Sequence, residues 1–169
     1  MMSNNEINLE IGEPIPSEFD YSLSPAELDR CLSEQMELFK QGKRSVPTHE
    51  FSMLGYALDF IDFAKNRCNQ EIDFDERCLP VFLGILNALR KMFAENPPPD
   101  EFFKTTVKQA TGYFGIVIIK NIGGQWVNTN MGMGIAYKGE NALIMNPIGR
   151  FLQTGDDTIM AVYEHLKKV

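Results

Sequence analysis

Residues 103–126 read FKTTVKQATGYFGIVIIKNIGGQW, and the middle of this stretch decides the fold. By propensity, Gly115-Ile116-Val117-Ile118-Ile119 is a buried strand, because β-branched side chains pack well on a pleated surface. The spacing argues the other way. Phe103, Val107, Ala110, Phe114, Val117 or Ile118, and Ile122 recur at three- and four-residue steps, so a single helix carried through Gly112 and Gly115 is expected. Just upstream, Pro97-Pro98-Pro99 break any helix, and Asp100-Glu101 place negative charge where the new helix has its positive end.

Toward the N-terminus three more helices are expected. Ser24, Pro25 and Glu27 form a capping box that satisfies orphan amides, and Leu28, Cys31, Leu32, Gln35, Leu38 and Phe39 share one face up to Gly42. Cys31 then reads as a core filler. Thr48 can cap a second helix whose stripe of Phe51, Leu54, Leu58 and Ile61 is widened by Ala57, Phe60 and Ala64. Leu79, Phe82, Leu86, Leu89 and Phe93 mark the third helix, and Pro80 confines its start to between Asp75 and Leu79. Residues 1–23 form an extended arm in which Ile7, Leu9 and Ile11 alternate with polar residues; the domain proper spans 24–169.

Downstream of Gly123-Gly124 the texture shifts to short runs broken by Gly and Asn. Trp126–Thr129, Ile135–Tyr137 and Ala142–Met145 read as strands, with Lys138-Gly139-Glu140 as the tight connection between the last two. Asn146-Pro147 ends the sheet, Gly149–Thr154 reads as a short helical turn, and Asp156 or Asp157 caps a closing helix with Ile159, Val162, Tyr163 and Leu166 inward. The fold class is α+β: an N-terminal bundle of about four helices, a three-stranded antiparallel meander and a C-terminal helix.

Composition narrows the function. Sixteen Lys and Arg against 23 Asp and Glu give a net charge of −7, a field that repels phosphate backbones, so nucleic acid is not expected as a partner. The three cysteines lack metal or redox spacing and read as reduced thiols. Met1–Glu10 carries acids where an export signal needs basic residues, and Gly115–Ile119 is too short to span a bilayer; a cytoplasmic location and no membrane insertion are expected.

Motifs for chemistry fail one by one. His49 and His165 have no metal-ligand spacing around them, and no Ser follows Ser52, which removes a Gly-x-Ser-x-Gly nucleophile elbow. Gly132, Gly134 and Gly139 precede a strand rather than a helix, unlike a dinucleotide loop. Glu71, Asp73 and Asp75 alternate like a calcium loop, but Glu76 occupies the glycine position and Phe82 the bidentate Glu position. No catalytic residue, metal site or cofactor is indicated.

Gly115 through Trp126, then Met145-Asn146-Pro147-Ile148-Gly149-Arg150, then Asp156-Asp157 and Tyr163-Glu164, resemble a group of small, functionally uncharacterised bacterial proteins over roughly the C-terminal third. The resemblance implies a long helix, a Gly-Gly-x-Trp turn, a few strands, an Asn-Pro break and a closing helix. Gly123, Gly124, Trp126, Asn146 and Pro147 read as fold determinants. It carries no function. The expected function is a non-catalytic protein-binding factor, of immunity or accessory type, that meets a basic protein partner through an acidic surface. The alternative is a small-molecule sensor or enzyme with a pocket between helices and sheet. Asn128, Asn130, Met131 and Glu140 are the candidate binding residues, and Ile7, Leu9 and Ile11 could add a strand to a second copy.

Overall fold

The computed structural model describes residues 12–13, 25–43 and 52–169. Among these, the order is α1 (Pro25–Lys40), α2 (Ser52–Cys68), α3 (Leu79–Glu95), α4 (Asp100–Asn121), β1 (Gln125–Thr129), β2 (Gly132–Tyr137), β3 (Glu140–Leu143), α5 (Met145–Thr154) and α6 (Ile159–Lys168), with a 3₁₀ turn at Glu76–Cys78 leading into α3. This is the expected α+β architecture with one more helix after the sheet. Ile7, Leu9, Ile11, Ser24, Thr48 and His49 lie outside the described residues.

The ambiguous segment is helical throughout. From Ala110 to Ile118 every residue of α4 is buried, so it has no polar face to show, and a helix apolar all round can exist only as the axis of a core. Both hydroxyls in that run are paired: Thr111 donates to the Val107 carbonyl and Tyr113 to the Asp73 carbonyl, each at 2.7 Å. Its two glycines are contact points. A methyl group at Gly112 would lie 2.6 Å from the Met53 carbonyl oxygen and 2.9 Å from the Ala57 nitrogen, so the missing side chain lets α2 lie directly on α4. A methyl group at Gly115 would sit inside the indole ring of Trp126. The same two glycines that weaken the helix by propensity fix what packs on it.

Aromatic rings fill the space between elements. Tyr113 lies 5.3 Å from Phe60 on α2, 5.0 Å from Phe82 on α3 and 5.6 Å from Phe74, while Phe114 stacks on Phe82 at 5.8 Å and meets Tyr163 on α6 at 6.3 Å. Each fully buried ring of this kind contributes on the order of 2–3 kcal/mol of burial, and the offset pairs add to it.

Both α2 and α3 run antiparallel to α4, so the connector between them must travel back along the bundle. It is tied down on the way: Tyr113 Oη donates to the Asp73 carbonyl at 2.7 Å, and Asn121 Nδ2 donates to the Phe74 carbonyl at 2.8 Å. Pro80 sits in the first turn of α3, where a missing amide is harmless.

The meander has the order β1-β2-β3, both pairs antiparallel. Gly123 (φ 136°) and Gly124 (φ 96°) bend the chain from α4 into β1 in a conformation closed to other side chains. Lys138 (φ 47°) and Gly139 (φ 82°) make the two-residue hairpin with both residues left-handed, as its twist demands. Trp126 lies half-buried against the core as an anchor between helix and sheet. At the other side, Gly12 donates to the Asn141 carbonyl at 3.2 Å and Glu13 accepts from the Asn130 amide at 3.0 Å, so this part of the arm docks on its own meander.

Two local expectations are corrected. The sheet ends at Leu143, and Met145, Asn146 and Pro147 form the first turn of α5 rather than a strand followed by a break. Proline is tolerated there because first-turn amides have no intrahelical acceptor. Asp156 and Asp157 do not cap α6: Thr158 holds that position, without a side-chain bond to the helix.

Candidate functional site

The residues first singled out for binding do not come together. Asn130 and Met131 form the β1–β2 turn and Glu140 opens β3, at opposite ends of β2, with Asn128 half-buried in β1 opposite Met133. Most are occupied structurally. Asn130 Oδ1 accepts from the Glu13 amide at 3.1 Å, and the Met131 carbonyl accepts from Asn146 Nδ2 at 2.9 Å. Glu140 Oε2 meets His165 Nε2 at 2.9 Å, a pairing between β3 and α6 that sequence separation conceals. Met131 is the large apolar side chain among them that stands exposed, at 51%.

A second polar group ties α6 to the start of α3. Tyr163 Oη donates to Glu76 Oε2 at 2.6 Å, and Lys167 Nζ lies 3.2 Å from the same oxygen. Burial and the Glu76 hydrogen bond push the Tyr163 hydroxyl well above its ordinary value, while the Tyr163 hydrogen bond and then Lys167 hold the Glu76 carboxyl below its own. A phenol locked as a donor onto a carboxylate is a brace; it has no proton to exchange near neutrality. The acidic turn before α3 is likewise internally satisfied, with Arg77 on Asp75 at 3.0 Å holding that carboxyl low. Among the described residues no group of three or more His, Cys, Asp or Glu could hold a metal ion, and no helix is long and apolar enough to cross a membrane.

The surface that stands out is elsewhere. Toward the C-terminal ends of α2 and α3, beyond the Phe60–Phe82–Tyr113 contact, the two helices leave a cleft of about 1020 Å³ over the first turns of α4. Its apolar lining comes from Phe63, Ile85, Leu89, Met92 and Phe102. Met92 is 61% and Phe102 54% exposed, although both are large apolar side chains. Two carboxylates of α2, Asp59 and Asp62, stand on the rim with Arg67. Cys68 lines it too, but burial pushes its thiol up, so it remains protonated near neutral pH.

The sequence gives a faint signal for this cleft. Phe102 and Phe103 are adjacent in a helix, about 100° apart around its axis, so both cannot face the same core. Phe103 packs on the core and Phe102 turns outward, where Phe93 meets it edge-on at 6.2 Å. No protein-family model matches this chain, and no curated protein or solved structure does either.

Proposed function

We propose that this chain is a non-catalytic binding protein, of immunity or accessory type, and that the α2–α3–α4 cleft receives an amphipathic helix of a basic partner protein. The observation that carries the reading is the pair Met92 and Phe102, each more than half exposed on the rim of a cleft with apolar walls. Exposed apolar surface bounded by polar residues is characteristic of protein interaction sites. An apolar groove between helices suits a helical ligand with anchors at i, i+3, i+4 and i+7. The charge of the occupant follows from the rim carboxylates Asp59 and Asp62 and from the net charge of −7, which attract a cationic flank.

A fluorescein-labelled Leu/Lys amphipathic helix, titrated into the full chain by anisotropy at low and high salt, tests this. Saturable binding is expected that weakens with salt, exceeds that of a Leu/Glu helix of the same pattern, and is lost in a Met92→Asp/Phe102→Asp variant with unchanged far-UV circular dichroism. Equal binding by that variant overturns the reading.

A further inference from the structure

A second groove, of about 410 Å³, runs between α4 and α5. Lys104 and Lys108, one turn apart on α4, face Arg150 on α5 across it, and among the described residues no carboxylate lines it. In a chain whose net charge is −7 this is a local inversion of sign. Neither lysine is engaged in an ion pair among the described residues; Arg150 lies 3.9 Å from Asp156, which stands outside the groove lining. Val107 and Met145 give the groove an apolar floor. Gly149 lies in the same wall with nothing within 4 Å of where its side chain would project, which leaves the α5 backbone open to close approach. Asn146-Pro147, which the sequence suggests as the sheet exit, thus lies in α5, which buries Pro147 and Ile148 and lines the groove with Met145, Gly149 and Arg150.

We infer that the α4–α5 groove is a binding site for a small organic phosphate, its phosphate held by Lys104, Lys108 and Arg150 and its apolar portion resting on Val107 and Met145. The volume lies within the range of small-molecule pockets. Two ammonium groups and a guanidinium lining one groove suit a dianion, and a guanidinium can bind phosphate through two parallel bonds. This site is separate from the helical cleft and does not depend on it.

The test is amide NMR on the full chain at constant ionic strength, with inorganic phosphate and phenyl phosphate as probes. Both should shift amides of residues 103–108 and 145–153 saturably, phenyl phosphate binding the tighter because its ring uses the apolar floor. Lys108→Gln and Arg150→Gln should each weaken phenyl phosphate by about tenfold, the size of a lost charge-assisted bond. Shifts that fail to saturate, that spread over lysines elsewhere as for an adventitious ion only, or that persist unchanged in Arg150→Gln overturn the inference.

Discussion

Gly115→Ala is expected to destabilise the fold when Trp126 is present and to stabilise it when Trp126 is gone. The added methyl would occupy the indole ring, and overpacking of this kind costs about 1–3 kcal/mol, at the upper end here because the obstacle is the rigid body of a ring and not a flexible tip. Against this, alanine gains about 1 kcal/mol over glycine inside a helix. The net loss is about 2 kcal/mol, which with a urea slope of roughly 2 kcal/mol/M lowers the midpoint by about 1 M. Trp126→Ala alone should cost roughly 2 kcal/mol, about half the penalty of a fully buried ring, since the indole is only half-buried. In that background Gly115→Ala should recover about 1 kcal/mol, a coupling of about 3 kcal/mol. Urea melts of the four proteins followed by far-UV circular dichroism measure it without relying on the deleted fluorophore. If Gly115→Ala costs the same in both backgrounds, the ring is not what excludes the methyl group and this account of the helix–sheet junction is wrong.

Two further outcomes are expected. Tyr113→Phe removes the 2.7 Å donor to the carbonyl of Asp73, an exposed residue, in a part-buried hydrogen bond and should cost about 1 kcal/mol by urea melting, with helix content unchanged. Glu76 ionises below its ordinary value of 4.5 in the folded chain, so its contribution is complete above that pH and disappears as acid titrates it; the stability advantage of the wild type over Glu76→Gln should be present at pH 7 and shrink as pH falls below 4.5.

The helices of the first half were legible because their apolar residues keep one period and their ends carry proline or capping residues, as at Pro80 and Pro97–Pro99. α4 was the hardest case. Burial on all sides erases the polar face that betrays a helix, and only the long spacing from Phe103 to Ile122 outweighed the strand propensity of Ile116–Ile119. Gly112 and Gly115 look like breakers until α2 and Trp126 are seen against them. Asn146-Pro147 misled because the bias of a pre-proline residue away from helix is a local preference, and the buried face of α5 overrides it. Of the candidate cleft only one ring was legible, since Phe102 beside Phe103 must turn away from the core. The rest depends on how far α2 and α3 splay over α4, a property of rings such as Phe60 and Phe82 meeting 5.3 Å apart and not of any motif. The Glu140–His165 and Glu76–Tyr163 pairs were equally hidden, since they join residues 25 and 87 positions apart.

The connector that returns from α2 to α3 has no regular structure before its single 3₁₀ turn, yet side chains from α4 and α6 grip it at Asp73, Phe74 and Glu76. It behaves as a strut rather than a hinge. Loops are ordinarily where a chain accepts an insertion, a tag or new termini, but here an added residue would put those three acceptors out of step with donors that cannot follow. Engineering of this protein belongs instead at the Lys138-Gly139 hairpin, where both residues are exposed and open space surrounds Gly139, with glycine kept at that position because its φ of 82° strains any other side chain.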